Sequence, residues 1–583
     1  MFSGLFFVSL LALPGFGKFL QSSADLQAYD FVVIGAGPGG AAVSNRLTED
    51  PNVSVLVVEA GGTNNDSITI DVPLLCTMLT PNTQWDWNYT TTPQPNLNDR
   101  VLPFPRGLGL GGTSAVNCLV YTRGSKQNID RWAELSGDSS WGWDAMLPYF
   151  KKSEKFNFPV DGHNVSGQFD PAFHGFDGFI GVSVPGASRA IDDRVIQTTK
   201  DLAEFPFSID MNTGDHLGVS WVQALVDRGI RSSAAAYFSP EVLARQNLDI
   251  LLNTRVSRVL ASSKNSFNVV QYLDSVDGKL KTIKAAKEVI LSAGAVGTPS
   301  ILLHSGIGNA THLTSLGIKP LVNLPSVGQN LTDHIGVSST WLVNSTLTYD
   351  AVLRNETLAE ELLQQWKATK TGIYVDTSEN HLAFLRLPEN STVLKEFGDP
   401  AAGNETAHFE FLFQNGLNSV TASGNYLNIP SGNVSPKSSG AVTINSTNPF
   451  DAPVIDPGLL SHPVDIAVLR EAIKSAHRFV KAAAWKGYIL QDLTNATTDA
   501  EIEDFIRENA VSFFHPVATA AMSPFNTTDW GVVNPDLKVK SVKGLRIVDA
   551  SVAPSLPAAH TSAAVYGIAE RAADIIKAEY GLL

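Results

Sequence analysis

One stretch near the N-terminus, YDFVVIGAGPGGAAVSNRLTEDPNVSVLVVEAGG (residues 29–62), limits what this chain can fold into more than any other. Phe31–Ile34 is an apolar run of strand length, Ala41–Leu47 has helical spacing, and Val53–Val58 is apolar again. These pieces read as a βαβ unit. Between the first strand and the helix stand Gly35, Gly37 and Gly40 in GxGxxG order with Pro38 and Gly39 between them, and Glu59 ends the second strand. The first glycine allows a tight turn, the second lets backbone approach a pyrophosphate, and the third lets the helix pack closely. The anion sits at the helix N-terminus, and Glu59 is placed to accept hydrogen bonds from a ribose. The fingerprint marks a dinucleotide site without separating FAD from NAD.

Two further strand-to-helix passages lie far away, KEVILSAGAVGTPSILLHSGIG (287–308) and GLRIVDASVAPSLPAAHTSAAVYGIAERAADIIKAEY (544–580). In the second, Val565, Ile568, Ala569, Ala572, Ile575 and Ile576 form one helical stripe. Such separation predicts an α/β fold, α+β overall, in which a discontinuous Rossmann-like domain is interrupted by an inserted domain. The expected division is a leader at 1–24, the main part of the nucleotide domain, with cap segments, at 25–340, a substrate-binding domain at 341–520, and a return to the nucleotide domain at 521–583. The 583 residues, 44% of them hydrophobic, are ample for two cores.

A net charge of −15 with no basic block argues against nucleic acid as a partner. The opening MFSGLFFVSLLALPGFG is apolar, ends in small residues and is too short to span a membrane, so it reads as a secretory signal. Fourteen N-x-S/T sequons, among them Asn88, Asn164, Asn344, Asn355, Asn390, Asn404 and Asn445, suit a glycosylating pathway. Asn330 is expected to be buried and unmodified. The expectation is a secreted extracellular glycoprotein, monomeric and without a membrane anchor. With only Cys76 and Cys118, the hydrophobic core rather than a disulfide framework is expected to stabilise the fold. No His/Cys cluster has metal-ligand spacing, so no metal is expected.

The segment PRGLGLGGTSAVNCLVYTRGS (105–125) holds more glycine than a helix or strand needs, so its backbone is expected to lie against something large and flat. Gly111 and Gly112 permit that approach, and Thr113, Ser114 and Asn117 offer hydrogen bonds to a polar ring edge. FFHPVATAAM (513–522) sets one histidine in an otherwise apolar or small run.

With GAVGTPSILLHSGIG (294–308), SVGQNLTDH (326–334), FFHPV and VDASVAPSLPAAHT, these segments make the sequence resemble the glucose-methanol-choline (GMC) oxidoreductases, the fungal aryl-alcohol oxidases most closely. The resemblance runs from about residue 28 to the C-terminus. It implies FAD, held non-covalently, because the histidine that tethers flavin in some relatives is here Val116. It places Gly35, Gly37, Pro38, Gly39, Gly40 and Glu59 at the ADP half and Arg106, Gly112, Ser114, Asn117 and Val120 near the ring system. Val256 falls near the adenine, and Asp549, Ala550 and Thr561 near the pyrophosphate and ribityl chain. The sequence departs from the family at Leu108, where a basic residue is usual.

Oxidation of an alcohol removes a proton from oxygen and a hydride from carbon, and a flavin accepts the hydride. The resemblance assigns His515 as proton acceptor and His560 as hydrogen-bond donor to the alcohol. A neutral imidazole suits the first role. Phe513 and Phe514 either stack on an aromatic substrate or, as two adjacent aromatics commonly do, pack in the core. Aryl-alcohol oxidases carry tyrosine where Cys118 stands, and the access stretch FQNGLNSVTASGNY (413–426) lacks bulk, so a wider or more polar pocket is expected. The reading is a secreted alcohol oxidase making aldehyde and hydrogen peroxide from aryl or allylic primary alcohols, with O2 as electron acceptor. The alternatives are a dehydrogenase that uses quinones and oxidises a sugar or secondary-metabolite alcohol, and a non-catalytic flavin-binding homologue.

Overall fold

The computed structural model describes residues 18–20, 26–64, 67–417 and 423–583. Most of the stretch read as a leader, and residues 418–422 of the access stretch, lie outside the described residues. Tyr29–Ile34 forms the predicted first strand, with Phe31 to Ile34 all buried, as expected for a strand covered on both faces. It lies at the centre of a sheet, parallel to Val55–Val58 on one side and to the end of the long strand Leu280–Leu291 on the other. Leu248–Leu251 extends the parallel part beyond Val55–Val58, and Leu545–Ile547 joins it beside Leu280–Leu291. The first half of Leu280–Leu291 turns away and pairs antiparallel with Ser266–Leu273, which pairs antiparallel with Arg255–Ser263. The helices Pro38–Leu47 and Ser562–Tyr580 pack on each other against this sheet.

The second sheet is antiparallel. Its order is Ile489–Asp492, Ile335–Val343, Tyr426–Asn433, Phe409–Gln414, Glu379–Leu385 and Gly218–Trp221, with Val511–Ser512 also paired to Ile335–Val343. Alternation along Phe409–Gln414 decides what each face does. Phe409, Phe411 and Phe413 join Leu427 and Ile429 under the helix Pro463–Phe479, where Val464, Val468, Ala472 and Phe479 close a separate core. Glu410, Leu412 and Gln414 point the other way, toward the first sheet's end of the molecule.

Two elements cross the expected domain limits, and a third belongs to the cap segments expected within the nucleotide stretch. Gly218–Trp221, a cap segment within 25–340, is an edge strand of the second sheet. Ile335–Val343 runs through the expected limit at 340. Lys18–Leu20, inside the expected leader, pairs parallel with Leu248–Leu251 at the edge of the first sheet, and Leu20 is buried. A strand added to an edge leaves little compositional trace, so neither Gly218–Trp221 nor Lys18–Leu20 was visible in composition. Asn330 is exposed, against expectation, while Asn433 is the sequon asparagine that is fully buried among the described residues. No helix among the described residues is long and apolar enough to cross a membrane.

Cys76 and Cys118 are joined in a disulfide that ties the turn Pro73–Met78 to the segment after the second glycine stretch. Its loop of 42 residues is worth about 4 kcal/mol in the chain-entropy account, so the core does not act alone.

Candidate active site

Between the two sheets lies a cavity of about 680 Å³. Both glycine stretches line its floor. Gly35 has φ +100°, and a Cβ there would fall 2.4 Å from the Ser292 carbonyl oxygen; at Gly40 it would fall 1.9 Å from the Gly35 carbonyl oxygen. These two glycines are demanded by the chain itself. Gly37 differs, because a Cβ there meets only the Gly112 Cα, at an ordinary 3.7 Å. Its missing side chain therefore leaves room in the cavity rather than room for the protein. Gly112, with φ +53°, brings the second stretch onto the first, and a Cβ there would sit 2.7 Å from the Gly37 Cα.

Glu59 binds these loops together. Its Oε2 accepts from the Ala36 N–H at 2.8 Å, and its Oε1 accepts from the N–H groups of Gly61 at 2.9 Å and Gly109 at 3.1 Å. The expected ribose acceptor is thus already engaged by backbone, and burial pushes its carboxyl above the ordinary value. Asp549 is similarly committed, accepting from Gly294 N–H, Thr298 Oγ1 and Ser551. Ser114 Oγ donates to the Gly111 carbonyl and accepts from Ala234 N–H, and Asn117 Oδ1 accepts from Arg231. All of these, with Pro38, Gly39, Val116, Val120, Val256, Ala550 and Thr561, line the cavity.

The site fits FAD on three observations. The Gly37–Gly112 cradle is open toward the cavity, the helix Pro38–Leu47 begins there with Gly37 as N-cap, and the helix Ser562–Tyr580 begins there after Thr561. The Oγ atoms of Ser292 and Ser562 line the same space, buried and without a partner among the described residues.

The cavity's other end holds the histidines. Asp333 fixes the approach to His515: its Oδ2 accepts from Ser512 Oγ at 2.5 Å and its Oδ1 from the His515 N–H at 2.7 Å. Phe514 takes φ +64° to make this turn, and Arg106 donates to its carbonyl at 2.6 Å. The Nδ1 atoms of His515 and buried His334 lie 3.0 Å apart, one donating to the other. His560 approaches from the segment before the last helix, its ring centroid 4.8 Å from that of His515. Its N–H donates to Thr122 Oγ1, and its Nε2 lies 3.1 Å from Oε2 of buried Glu410.

Burial first, then the cationic forms of His560 and His334 and the Arg106 guanidinium, hold His515 well below the ordinary histidine value. Burial likewise brings His334 down to about 3 and raises Asp333 to about 6, against the hydrogen bonds that favour its carboxylate. His515 is therefore neutral where an alcohol would meet it, and ready to take a proton.

Three expected substrate contacts stand differently. The Phe513 ring is wedged over two glycines: a Cβ on Gly336 or Gly432 would fall 2.1 and 2.5 Å from it. It lines the cavity, but packing holds it. Phe514 is the freer ring, 37% exposed. Cys118 is half of the disulfide. Sequence reasoning assigned no role to Asp333 and His334, although SVGQNLTDH was recognised, and missed Glu410. The available signal for Glu410 was a carboxylate inside the aromatic alternation FEFLF.

The fold and this site define a flavin-dependent oxidoreductase of the class that acts on CH–OH groups. The chain belongs to the GMC oxidoreductase family, whose N-terminal part matches residues 29–336 and whose C-terminal part matches 436–569. It is 40% identical to dehydrogenase eriK of Hericium erinaceus over 95% of both chains. It is 38% identical to a pyranose dehydrogenase of Agaricus campestris, over 95% of this chain and 94% of the relative. Among solved structures, formate oxidase of Aspergillus oryzae matches with a TM-score of 0.88 at 29% identity, covering 96% of this chain and 100% of that one. A fungal aryl-alcohol oxidase matches with a TM-score of 0.85 at 28% identity, covering 95% and 100%.

Proposed function

We infer that the protein is a secreted FAD-dependent alcohol dehydrogenase that passes electrons to a quinone-type acceptor. The observation that carries the chemistry is the convergence of His515 and His560, 4.8 Å apart between ring centroids, in the cavity that the glycine stretches floor. FAD, when bound, supplies the hydride acceptor. His515 takes the hydroxyl proton at the ring nitrogen away from His334, which requires Nδ1 of His515 to donate to Nδ1 of His334. His560, held by Glu410, positions the alcohol oxygen. Val116 lines the cavity where the tethering histidine of some relatives would stand, and both cysteines are in a disulfide, which supports non-covalent binding of the cofactor. The apolar opening of the sequence and the exposed sequon asparagines, Asn88, Asn164, Asn344 and Asn404 among them, support secretion and glycosylation.

The dehydrogenase reading rests on the relatives named as dehydrogenases and on the polar far wall of the cavity, with Ser338, Ser378, Gln414 and Asn428. The aryl-alcohol oxidase expected from sequence is the second reading, favoured by the exposed Phe514 at the cavity wall. Rapid mixing of the purified yellow protein with D-glucose or 4-methoxybenzyl alcohol, without oxygen, tests both. Bleaching of the flavin band that recovers with benzoquinone but not with oxygen supports the first reading. Fast recovery in oxygen supports the second, and no bleaching by any alcohol removes both.

A further inference from the structure

The second sheet presents the cavity with a graded wall. Registered pairs place Gly336, Gly432 and Glu410 in one row, Ser338, Pro430 and Leu412 in the next, and Thr340, Asn428, Gln414 and Glu379 in the third. The first row carries Glu410, which meets His560. The second is largely apolar. The third is polar and internally ordered: Asn428 Nδ2 donates to Gln414 Oε1 at 2.8 Å, Thr340 Oγ1 donates to Asn428 Oδ1 at 2.9 Å, and Gln414 Nε2 donates to Ser378 Oγ at 3.2 Å. Glu379 is buried and lines the cavity, with both of its side-chain hydrogen bonds on Oε2. Its Oε1 takes none, and no Lys, Arg or His pairs with it, among the described residues.

A carboxylate oxygen that opens onto a cavity without a donor from the protein is a binding element, because a ligand donor can replace the water that meets it there. Gln414 lies four residues along its strand from Glu410, about 13 Å at the rise of an antiparallel strand. We propose that Glu379, Gln414 and Asn428 form a distal subsite for a hydrogen-bond donor, hydroxyl or ammonium, at the opposite end of this wall from the Glu410 row that holds His560. The substrate class is an elongated alcohol with an apolar middle and a donor-bearing far end. The inference rests on the reading of the histidine end as the place of oxidation.

The test uses 4-alkoxybenzyl alcohols of graded chain length ending in hydroxyl, ammonium or methyl. Dissociation constants come from calorimetric titration of the enzyme with its flavin reduced beforehand by dithionite, which does not depend on turnover, and KM and kcat from steady-state assays. At the chain length that spans the gap, a donor terminus is expected to lower Kd and KM about tenfold against methyl with kcat unchanged. Gln414→Leu removes that advantage, so that donor-ended and methyl-ended probes bind alike. Glu379→Gln removes it for ammonium more than for hydroxyl, which tells the two donors apart. Methyl-ended probes that bind as well at every length, or no binding by any probe, overturn the proposal. Tight, donor-dependent binding without flavin reduction would instead sink the oxidation reading and leave the subsite standing.

Discussion

The two sheets that wall the cavity meet it in opposite ways. The parallel sheet offers backbone, through the turns at Gly35–Gly40 and Gly107–Gly112 and two helix N-termini, while the antiparallel sheet offers side chains from one face of alternating strands. Backbone recognition suits a ligand that never changes, and side-chain recognition is free to vary with substrate. Residues on the first wall are therefore fixed by steric necessity, and those on the second by chemistry.

The contrast is sharpest at the glycines. Gly40→Ala is expected to prevent folding, since its Cβ has no space beside the Gly35 carbonyl. Gly37→Ala should instead give a folded but colourless protein, because its Cβ enters only the cavity; far-UV circular dichroism and the flavin band separate the two outcomes. A yellow Gly37→Ala enzyme would break the account of the first wall. Next in size is the disulfide. The double variant Cys76→Ser/Cys118→Ser should lose about 4 kcal/mol in denaturant unfolding with its flavin spectrum retained.

On the second wall, Glu410→Gln weakens the hold on His560 and should lower kcat/KM by about ten- to a hundredfold, with unfolding little changed. Unchanged kinetics would make Glu410 a packing residue. The smallest effect falls on Phe514. Phe514→Ala should raise KM for 4-methoxybenzyl alcohol roughly three- to tenfold at constant kcat if that ring stacks on aryl substrates, and leave D-glucose kinetics alone.

The parallel half was legible because its signals are local. GxGxxG, the apolar strands and the stripe from Val565 to Ile576 each lie within one element, and each has a single steric reading. The histidine pair was legible through family motifs rather than from its own environment. What escaped depends on register. Glu410 and Gln414 read as isolated polar residues until strand pairing sets them in rows, and Glu379 comes from a third strand. Phe513 looked like a stacking ring because nothing in FFHPV shows that Gly336 and Gly432 leave the space it fills. The pairing of Cys76 with Cys118 likewise needs the turn at Pro73–Met78 to fold beside the second glycine stretch.

The central claim is that neutral, half-buried His515 takes the proton. Its protonation is opposed by burial and by cationic neighbours, so activity should be lost only as pH falls below the ordinary histidine value of 6.5. The most direct measurement is the anaerobic rate of flavin reduction against pH for the native enzyme and His515→Asn, both loaded with FAD. A native profile flat above 6.5 with its acid limb below that value, and a drop on the order of a thousandfold in the variant, is the predicted result. A variant that reduces its flavin at near-native rate, or a native acid limb above 6.5, would contradict it.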